Sequence, residues 1–270
     1  MSINCGTIFN LVVLIWLRLL ARYSFAPWRW VKRAFPYLFK VALPAALMQL
    51  VWHSAYMVLF AITGSLPTGS VTALAGMSAG LRVESLFFLP AFAFNFTAAI
   101  IVGHHLGARD PGEARKSGYR ILGVGMAVVA VIVAAAWSSL PTIARFVASD
   151  PEVHAVALSY LRFNLAGLPF LLVGMVLGGA FTGAGATLYQ MLCVGGSAWL
   201  VRIPLAWYLG HKVVGGADGV WMAMLASMIV QALVVLLVYQ FGDWPRFAMQ
   251  ADKARSRPPV PAMPRAEARP

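Results

Sequence analysis

Six apolar runs, each long enough to cross a bilayer, constrain the fold of this chain more than any other feature of its sequence. They cover residues 41–63, 71–102, 119–140, 153–181, 187–210 and 215–241. A helix needs about 20 apolar residues to span a hydrocarbon core, and lone strands cannot satisfy their backbone hydrogen bonds in lipid. The sequence therefore predicts an all-α, polytopic membrane protein built as a bundle of six transmembrane helices.

The composition favours the same class and excludes others. Hydrophobic residues make up 60% of the 270 residues and charged residues 11%, whereas a soluble domain has about 25% charged residues. The net charge is +12, but the basic residues lie between apolar runs and form no single solvated face, so we expect no nucleic-acid partner. Cys5 and Cys193 lack the spacing of a metal site, and no nucleophile or carboxylate pair indicates an enzyme or a cofactor.

The segments outside the six spans suggest four regions. Residues 8–20 form a shorter apolar run that Arg18 interrupts. Residues 1–22 are therefore expected to be a short hydrophobic segment, which is a short span, an interfacial helix or the remnant of a preceding transmembrane helix. A basic linker at 23–40, the six-helix lobe at 41–244 and a basic, disordered tail at 245–270 follow.

The distribution of Lys and Arg predicts the orientation in the membrane. The linker, the turn at residues 109–120 and the tail are rich in basic residues, whereas the opposite connections contain only Arg145 and Lys212. By the positive-inside rule the basic side is cytoplasmic. We expect a multi-pass protein of the plasma (inner) membrane with a cytoplasmic C-terminus.

Two connections have the sequence of a helix start. In Asp110-Pro111-Gly112-Glu113 the aspartate can cap the helix, the proline occupies the first turn, and Glu113 completes a capping box. Asp150-Pro151-Glu152 is a similar start.

Charged side chains inside the spans are the first candidates for a transport pathway, because ionisable groups in lipid are expensive and usually face a bundle interior. Glu84 either binds a proton or a cationic drug, or forms a structural ion pair. Arg202 is a plausible partner, because an unpaired arginine at that depth costs at least about 2.5 kcal/mol. Arg82 cannot face Glu84 at a separation of two on a helix.

Neutral polar residues add further candidates. His53 and Gln49 share a helix face and either line a cavity or hydrogen-bond across helices. Asn95 favours an interhelical hydrogen bond. The predicted substrate or cation pathway therefore includes Glu84, Arg82, Arg202, His53, Gln49 and Asn95.

Small and aromatic residues leave two interpretations open. Small-xxx-small pairs permit either close packing inside the bundle or contact with a further lobe; these pairs are Gly76 with Gly80, Gly174 with Gly178, and Gly179 with Gly183. A group of phenylalanines suits either a pocket for flat cationic drugs or a lipid-facing surface; the group is Phe87, Phe88, Phe92, Phe94 and Phe96.

Several motifs, in their order and spacing, resemble the multidrug and toxic compound extrusion (MATE) family, above all its carboxy-terminal lobe. The motifs are Arg82-Val83-Glu84-Ser85, Gly103-His104-His105-Leu106-Gly107-Ala108, Asp110-Pro111, Ala114-Arg115, Ser149-Asp150-Pro151-Glu152-Val153, Tyr160-Leu161-Arg162, Gly183-Ala184-Gly185 and Trp199-Leu200-Val201-Arg202-Ile203-Pro204-Leu205-Ala206. The resemblance covers residues 28–244 and implies one six-helix lobe of a two-lobe transporter, with the drug path between the lobes.

The resemblance implies secondary-active, cation-coupled antiport of drugs or other organic cations, driven by a proton or sodium gradient. Its partners would be the lipid bilayer, small organic substrates and a second six-helix lobe, either a separate chain or a homodimer partner. The alternative is a truncated or accessory membrane protein without transport activity. Some branches of the family have a functional Glu in the first helix of this lobe, but the aligned position here is Trp52, and residues 41–63 contain no Asp or Glu.

Overall fold

Six long helices form the part of the chain that the computed structural model describes, which is residue 13 and residues 28–247. No strand occurs among these residues. The helices are α1 (Trp28–Gly64), α2 (Ser70–Gly107), α3 (Pro111–Val147), α4 (Pro151–Gly183), α5 (Thr187–Val213) and α6 (Ala217–Phe241). All six are long and apolar enough to cross a membrane, α1 over Ala46–Gly64. The predicted all-α, six-helix architecture is confirmed.

The first helix begins earlier than the hydropathy pattern indicates. α1 starts at Trp28, inside the segment expected to be a basic linker, because Lys and Arg are good helix formers and hydropathy marks only the part of a helix that enters lipid. The chain divides into two compact units, Met1–Leu43 and Pro44–Pro270. The described part of the first unit is helical, and the bundle discussed below lies in the second. Except for Val13, the predicted apolar segment at 8–20 lies outside the described residues, as does the tail beyond 247.

α3 and α4 begin at the two predicted caps. The Asp110 side chain accepts a hydrogen bond from the backbone N–H of Glu113 at 2.9 Å. The predicted capping box is not completed, because the Glu113 carboxylate pairs with Lys116 and Arg120 and the Asp110 N–H donates to the His105 carbonyl. Asp150 accepts from the N–H groups of Glu152 and Val153 at 2.8 and 3.3 Å. These bonds satisfy donors that a helix start otherwise leaves without partners.

A glycine seam, made of Gly76, Gly80, Gly179 and Gly183, joins α2 to α4. A Cβ atom added to Gly179 or Gly183 would collide with the backbone of Asn95 or Ala99, and one added to Gly80 would collide with the Tyr160 ring. Matching positions recur in the same order along both helices, so α2 and α4 run parallel. Glycine permits this close approach because it has no side chain.

The third small-xxx-small pair also packs inside the bundle. A Cβ atom at Gly174 would meet the amide of Gln231 on α6, and one at Gly178 would lie 3.2 Å from the amide nitrogen of Gln190 on α5. All three predicted pairs therefore support contacts within the lobe. α4, which carries most of these glycines, has the most buried apolar window of the six helices.

α5 is irregular. It contains π-helical turns over Met191–Gly195, Ser197–Arg202 and Leu209–Val213, with α-helical turns between them. Single π-helical turns are often found at functional sites because they re-aim side chains. α5 lies against α1, since the Trp199 indole N–H donates to the Val51 carbonyl at 3.1 Å. Arg202 follows Trp199 by one turn and points toward the same helix.

Candidate functional site: a polar centre between five helices

Glu84 is the buried carboxylate of the site. Its side chain on α2 is only 3% exposed. The Tyr160 hydroxyl of α4 donates a hydrogen bond to Oε2, whereas Oε1 has no hydrogen-bond partner among the described residues. The Tyr160 ring is held by the glycine seam and by Trp221, whose ring packs edge-on at 4.8 Å. The packing of α2 on α4 therefore fixes Tyr160 and Glu84 relative to each other.

Arg202 is the buried cation of the site. It is 1% exposed, and its Nε donates to the Ser227 hydroxyl of α6 at 2.8 Å. The guanidinium carbon lies 5.2 Å from the centre of the Trp52 ring and 5.9 Å from that of Tyr56. Aromatic faces attract cations at such distances, more strongly when both are desolvated. One hydroxyl and two rings therefore stabilise this charge, although Nη1 has no hydrogen-bond partner in the described part of the chain.

The two opposite charges form no direct salt bridge. The N–O pairs within 4.0 Å that the described residues contain lie elsewhere, at Glu113 and Asp243. The expected pairing of Glu84 with Arg202 is therefore wrong as a direct contact. The pair does not form because the Arg202 guanidinium instead contacts the Ser227 hydroxyl and the rings of Trp52 and Tyr56. Both charges instead lie beside Tyr56.

A cavity of about 300 Å³ opens beside the carboxylate. Its lining comes from α1 and α2, namely Trp52, His53, Tyr56, Leu81, Glu84, Ser85 and Phe88. Small-molecule sites begin at about this volume and combine apolar walls with a few placed polar groups. A carboxylate among aromatic rings is chemically suited to an organic cation.

A second, much smaller space of about 10 Å³ lies between α2 and α4, with Glu84, Phe87 and Asn164 in its lining. This is room for about one water molecule. The two oxygens without partners there, Glu84 Oε1 and Asn164 Oδ1, are both acceptors while Glu84 is ionised. A proton on Glu84 would convert one of them into a donor.

The other predicted pathway residues are only partly in the site. His53 lines the cavity, and its Nδ1 lies 2.8 Å from the backbone carbonyl of Gln49, one turn earlier on α1. The Gln49 side chain is exposed and is not part of the lining. Asn95 donates to the Met175 carbonyl at 2.6 Å and so joins α2 to α4. Arg82 is exposed and lies in a separate groove.

The phenylalanines divide between the two interpretations. Phe88 lines the cavity and Phe87 the small space. Phe92 and Phe96 are 46% and 63% exposed on the outside of the described bundle.

Three side chains of the candidate site were not predicted as site residues. Tyr160 was named only as part of a family motif and Tyr56 was not named, because aromatic residues are common in membrane helices, and Ser227 is one of several span serines. The spacing of Trp52 and Tyr56, one helical turn apart, was the only available signal that two rings share a face. No sequence signal joins Ser227 to Arg202, which is on another helix.

Comparison with known proteins identifies the family of this chain and supports its fold. The MatE family model matches residues 44–208. A probable multidrug resistance protein NorM of Rhodopseudomonas palustris is 30% identical over 186 residues, which are 67% of this chain and 38% of that protein. Protein DETOXIFICATION 17 of Arabidopsis thaliana is 29% identical over 229 residues, 82% of this chain and 47% of that protein. The chain thus spans less than half the length of these two relatives.

A solved structure agrees with the helix arrangement. The crystal structure of the eukaryotic MATE transporter AtDTX14 superposes with a TM-score of 0.78 at 20% identity, over 90% of this chain and 55% of that one. The MatE model covers more than half of the chain. The protein is a multi-pass membrane protein that belongs to the MATE family.

Proposed function

We propose that this chain acts as the carboxy-terminal lobe of a secondary-active antiporter that exports drugs or other organic cations. The observation that carries the proposal is Glu84, a buried carboxylate with one free oxygen at the edge of an aromatic cavity. The names of its relatives, which refer to multidrug resistance and detoxification, support the substrate class. The basic connections support a plasma (inner) membrane protein with a cytoplasmic C-terminus.

The substrate step follows from the lining of the cavity. A flat organic cation lies against the rings of Trp52 and Tyr56 and is attracted by the Glu84 carboxylate. Arg202 lies over the same two rings, so its charge weakens the binding of any cation there. Glu84 must therefore be ionised for a cationic substrate to bind.

The coupling step follows from the same carboxylate. A proton bound to Glu84 removes the charge that holds the organic cation, and the protonated carboxyl has an acceptor nearby in Asn164 Oδ1. Substrate and proton then compete for one group, which is the requirement for antiport. A sodium ion would compete in the same way. The gradient of the coupling ion drives the rocking motion that returns the lobe to its starting orientation.

A second six-helix lobe completes the transporter in this proposal. Parallel repeats that place substrate between two lobes occur in several transporter folds. The second lobe is supplied by residues other than the six helices described above. The six described helices match 38% and 47% of the two relatives, which supports their assignment to one lobe.

The test is transport by purified protein in liposomes. The chain is reconstituted alone and with a separately expressed amino-terminal lobe of a MATE relative, and dye accumulation is followed under an imposed proton gradient or an imposed sodium gradient. We expect transport from the pair or from a dimer of the chain, driven by one of the two gradients.

Absence of transport under both gradients, with and without the added lobe, would contradict the proposal. That result would favour an accessory or truncated membrane protein. A tryptophan-fluorescence titration with the same dye separates loss of binding from loss of coupling.

A further inference from the structure

A groove of about 390 Å³ lies between α2 and the α3–α4 turn, apart from the cavity described above. Arg82 lies in its lining with Ser78 and Ala79 of α2, the end of α3 contributes Val147, and the α3–α4 turn contributes Asp150. Arg82 and Glu84 are two residues apart, about 200° around a helix. The groove and the aromatic cavity therefore lie on nearly opposite faces of α2, and Arg82 does not face the substrate site.

Arg82 and Asp150 carry opposite charges in this groove, and each has hydrogen-bonding groups that other side chains do not use. The Arg82 side chain has no hydrogen bond or ion pair among the described residues. Asp150 caps α4 through Oδ1, which leaves Oδ2 able to accept a ligand donor. An arginine near lipid is stabilised by an anion, and the unpaired Arg82 guanidinium is therefore able to bind a negatively charged group.

The depth of Arg82 matches the level of lipid phosphates. α2 has 38 residues, a length of about 57 Å, so each end projects about 13 Å beyond a hydrocarbon core of about 30 Å. Arg82 lies twelve residues, about 18 Å, from the Ser70 end, hence about 5 Å inside the core. Helical side chains lean toward the N-terminus, and a long arginine that leans this way reaches the interface.

We propose that this groove binds the headgroup of a phospholipid with a primary ammonium, of the phosphatidylethanolamine type. The phosphate accepts hydrogen bonds from the Arg82 guanidinium, and the ammonium donates to the Asp150 carboxylate farther from the core. The acyl chains lie along the apolar surface of the bundle. A trimethylammonium headgroup has no N–H to donate to Asp150, so the groove distinguishes phosphatidylethanolamine from phosphatidylcholine.

Native mass spectrometry of the purified full chain tests this site. The protein is incubated in detergent with equal amounts of dioleoyl phosphatidylethanolamine and dioleoyl phosphatidylcholine, and the bound lipids are counted. We expect the first lipid to be retained about threefold more than the second, the size of an exposed charge-assisted pair. Arg82→Gln should reduce the binding of both lipids and abolish the preference.

Three further variants make the result specific. Asp150→Asn retains the helix cap, because an asparagine side chain also caps, but should equalise the two lipids. Arg82→Lys retains the positive charge and should keep the preference. Arg162→Gln removes another exposed arginine that does not line the groove, and should change nothing. Equal binding of the two lipids by the unaltered protein, or a preference that survives Arg82→Gln or Asp150→Asn, would overturn the proposal.

Discussion

The glycine seam and the polar centre, which is formed by Glu84, Tyr160 and Arg202, are neighbours on α2 but differ in how well their groups are packed and paired. The seam holds α2 to α4 by backbone contact, with no room for one added carbon at Gly179 or Gly183. One turn beyond Gly80, the polar centre leaves Glu84 Oε1 and Arg202 Nη1 without partners. A tightly packed seam therefore lies beside charges that are incompletely satisfied.

The difference shows how the two parts depend on each other. Tyr160 belongs to both, since its ring packs over Gly80 and its hydroxyl donates to Glu84. The seam supplies a fixed geometry, whereas the centre supplies charges that can change state. Substitutions that add volume should therefore disrupt the glycine seam. Substitutions that change a charge or a hydrogen bond should disrupt the polar centre.

The largest effect is expected from an added methyl group in the seam. Gly179→Ala forces a Cβ atom into the Asn95 backbone, and such overpacking should lower the free energy of unfolding by about 1–3 kcal/mol or more. Thermal unfolding of the purified protein measures it. Gly123→Ala is the matched control, because nothing lies within 4 Å of its added Cβ. Equal midpoints for the two variants would show that the seam is not tightly packed.

Arg202→Lys should have the next largest effect. Lysine keeps the buried charge but loses the planar group that lies over Trp52 and Tyr56 and the Nε–H bond to Ser227. We expect a loss of about 2 kcal/mol in the free energy of unfolding. Arg202→Met, which removes the charge, should lose less, because an apolar replacement has no desolvated charge to satisfy. A methionine variant less stable than the lysine variant would contradict this account of the site.

Tyr160→Phe tests the residue that the two regions share. It keeps the ring packing and removes the donor to Glu84, which should lower the free energy of unfolding by about 1–2 kcal/mol. In a Glu84→Gln background, where the partner is no longer charged, the same change should have a smaller effect. A double-mutant cycle of unfolding midpoints measures the coupling, and additive effects would show that the hydrogen bond contributes nothing.

The smallest effect is expected from the Asn95 side chain, which does not line the aromatic cavity and is not one of the four glycines of the seam. Asn95→Ala removes the bond to the Met175 carbonyl, and interhelical hydrogen bonds in membrane proteins average about 0.6 kcal/mol. Thr97→Ala is the control, since Thr97 bonds only within its own helix, to Ala93. A transport defect in Asn95→Ala with unchanged stability would instead place Asn95 on the pathway.

The bundle was predictable from sequence because membrane insertion depends on apolar length, which a single sequence records directly. The caps at Asp110 and Asp150 were predictable for a similar reason, since a cap involves residues two or three positions apart. The start of α1 was missed because helices extend beyond the lipid-crossing part, and hydropathy does not report the extension.

The site was predictable only as a set of unusual residues. Glu84 and Arg202 are conspicuous because charges are rare in lipid. Their hydrogen-bond partners are not conspicuous in the sequence, because Tyr160 is 76 positions from Glu84 and Ser227 is 25 positions from Arg202. Helix packing brings these side chains together, so opposite charge alone did not predict the direct contacts of Arg202.

Transport by Glu84→Gln shows most directly whether this carboxylate couples the ion to the substrate. The variant is compared in liposomes with Glu113→Gln, which alters a carboxylate held in surface ion pairs with Lys116 and Arg120. We expect Glu84→Gln to abolish gradient-driven dye accumulation while the protein remains folded, and Glu113→Gln to transport normally. Gradient-driven transport by Glu84→Gln at the unaltered rate would contradict the claim that this carboxylate couples the ion to the substrate.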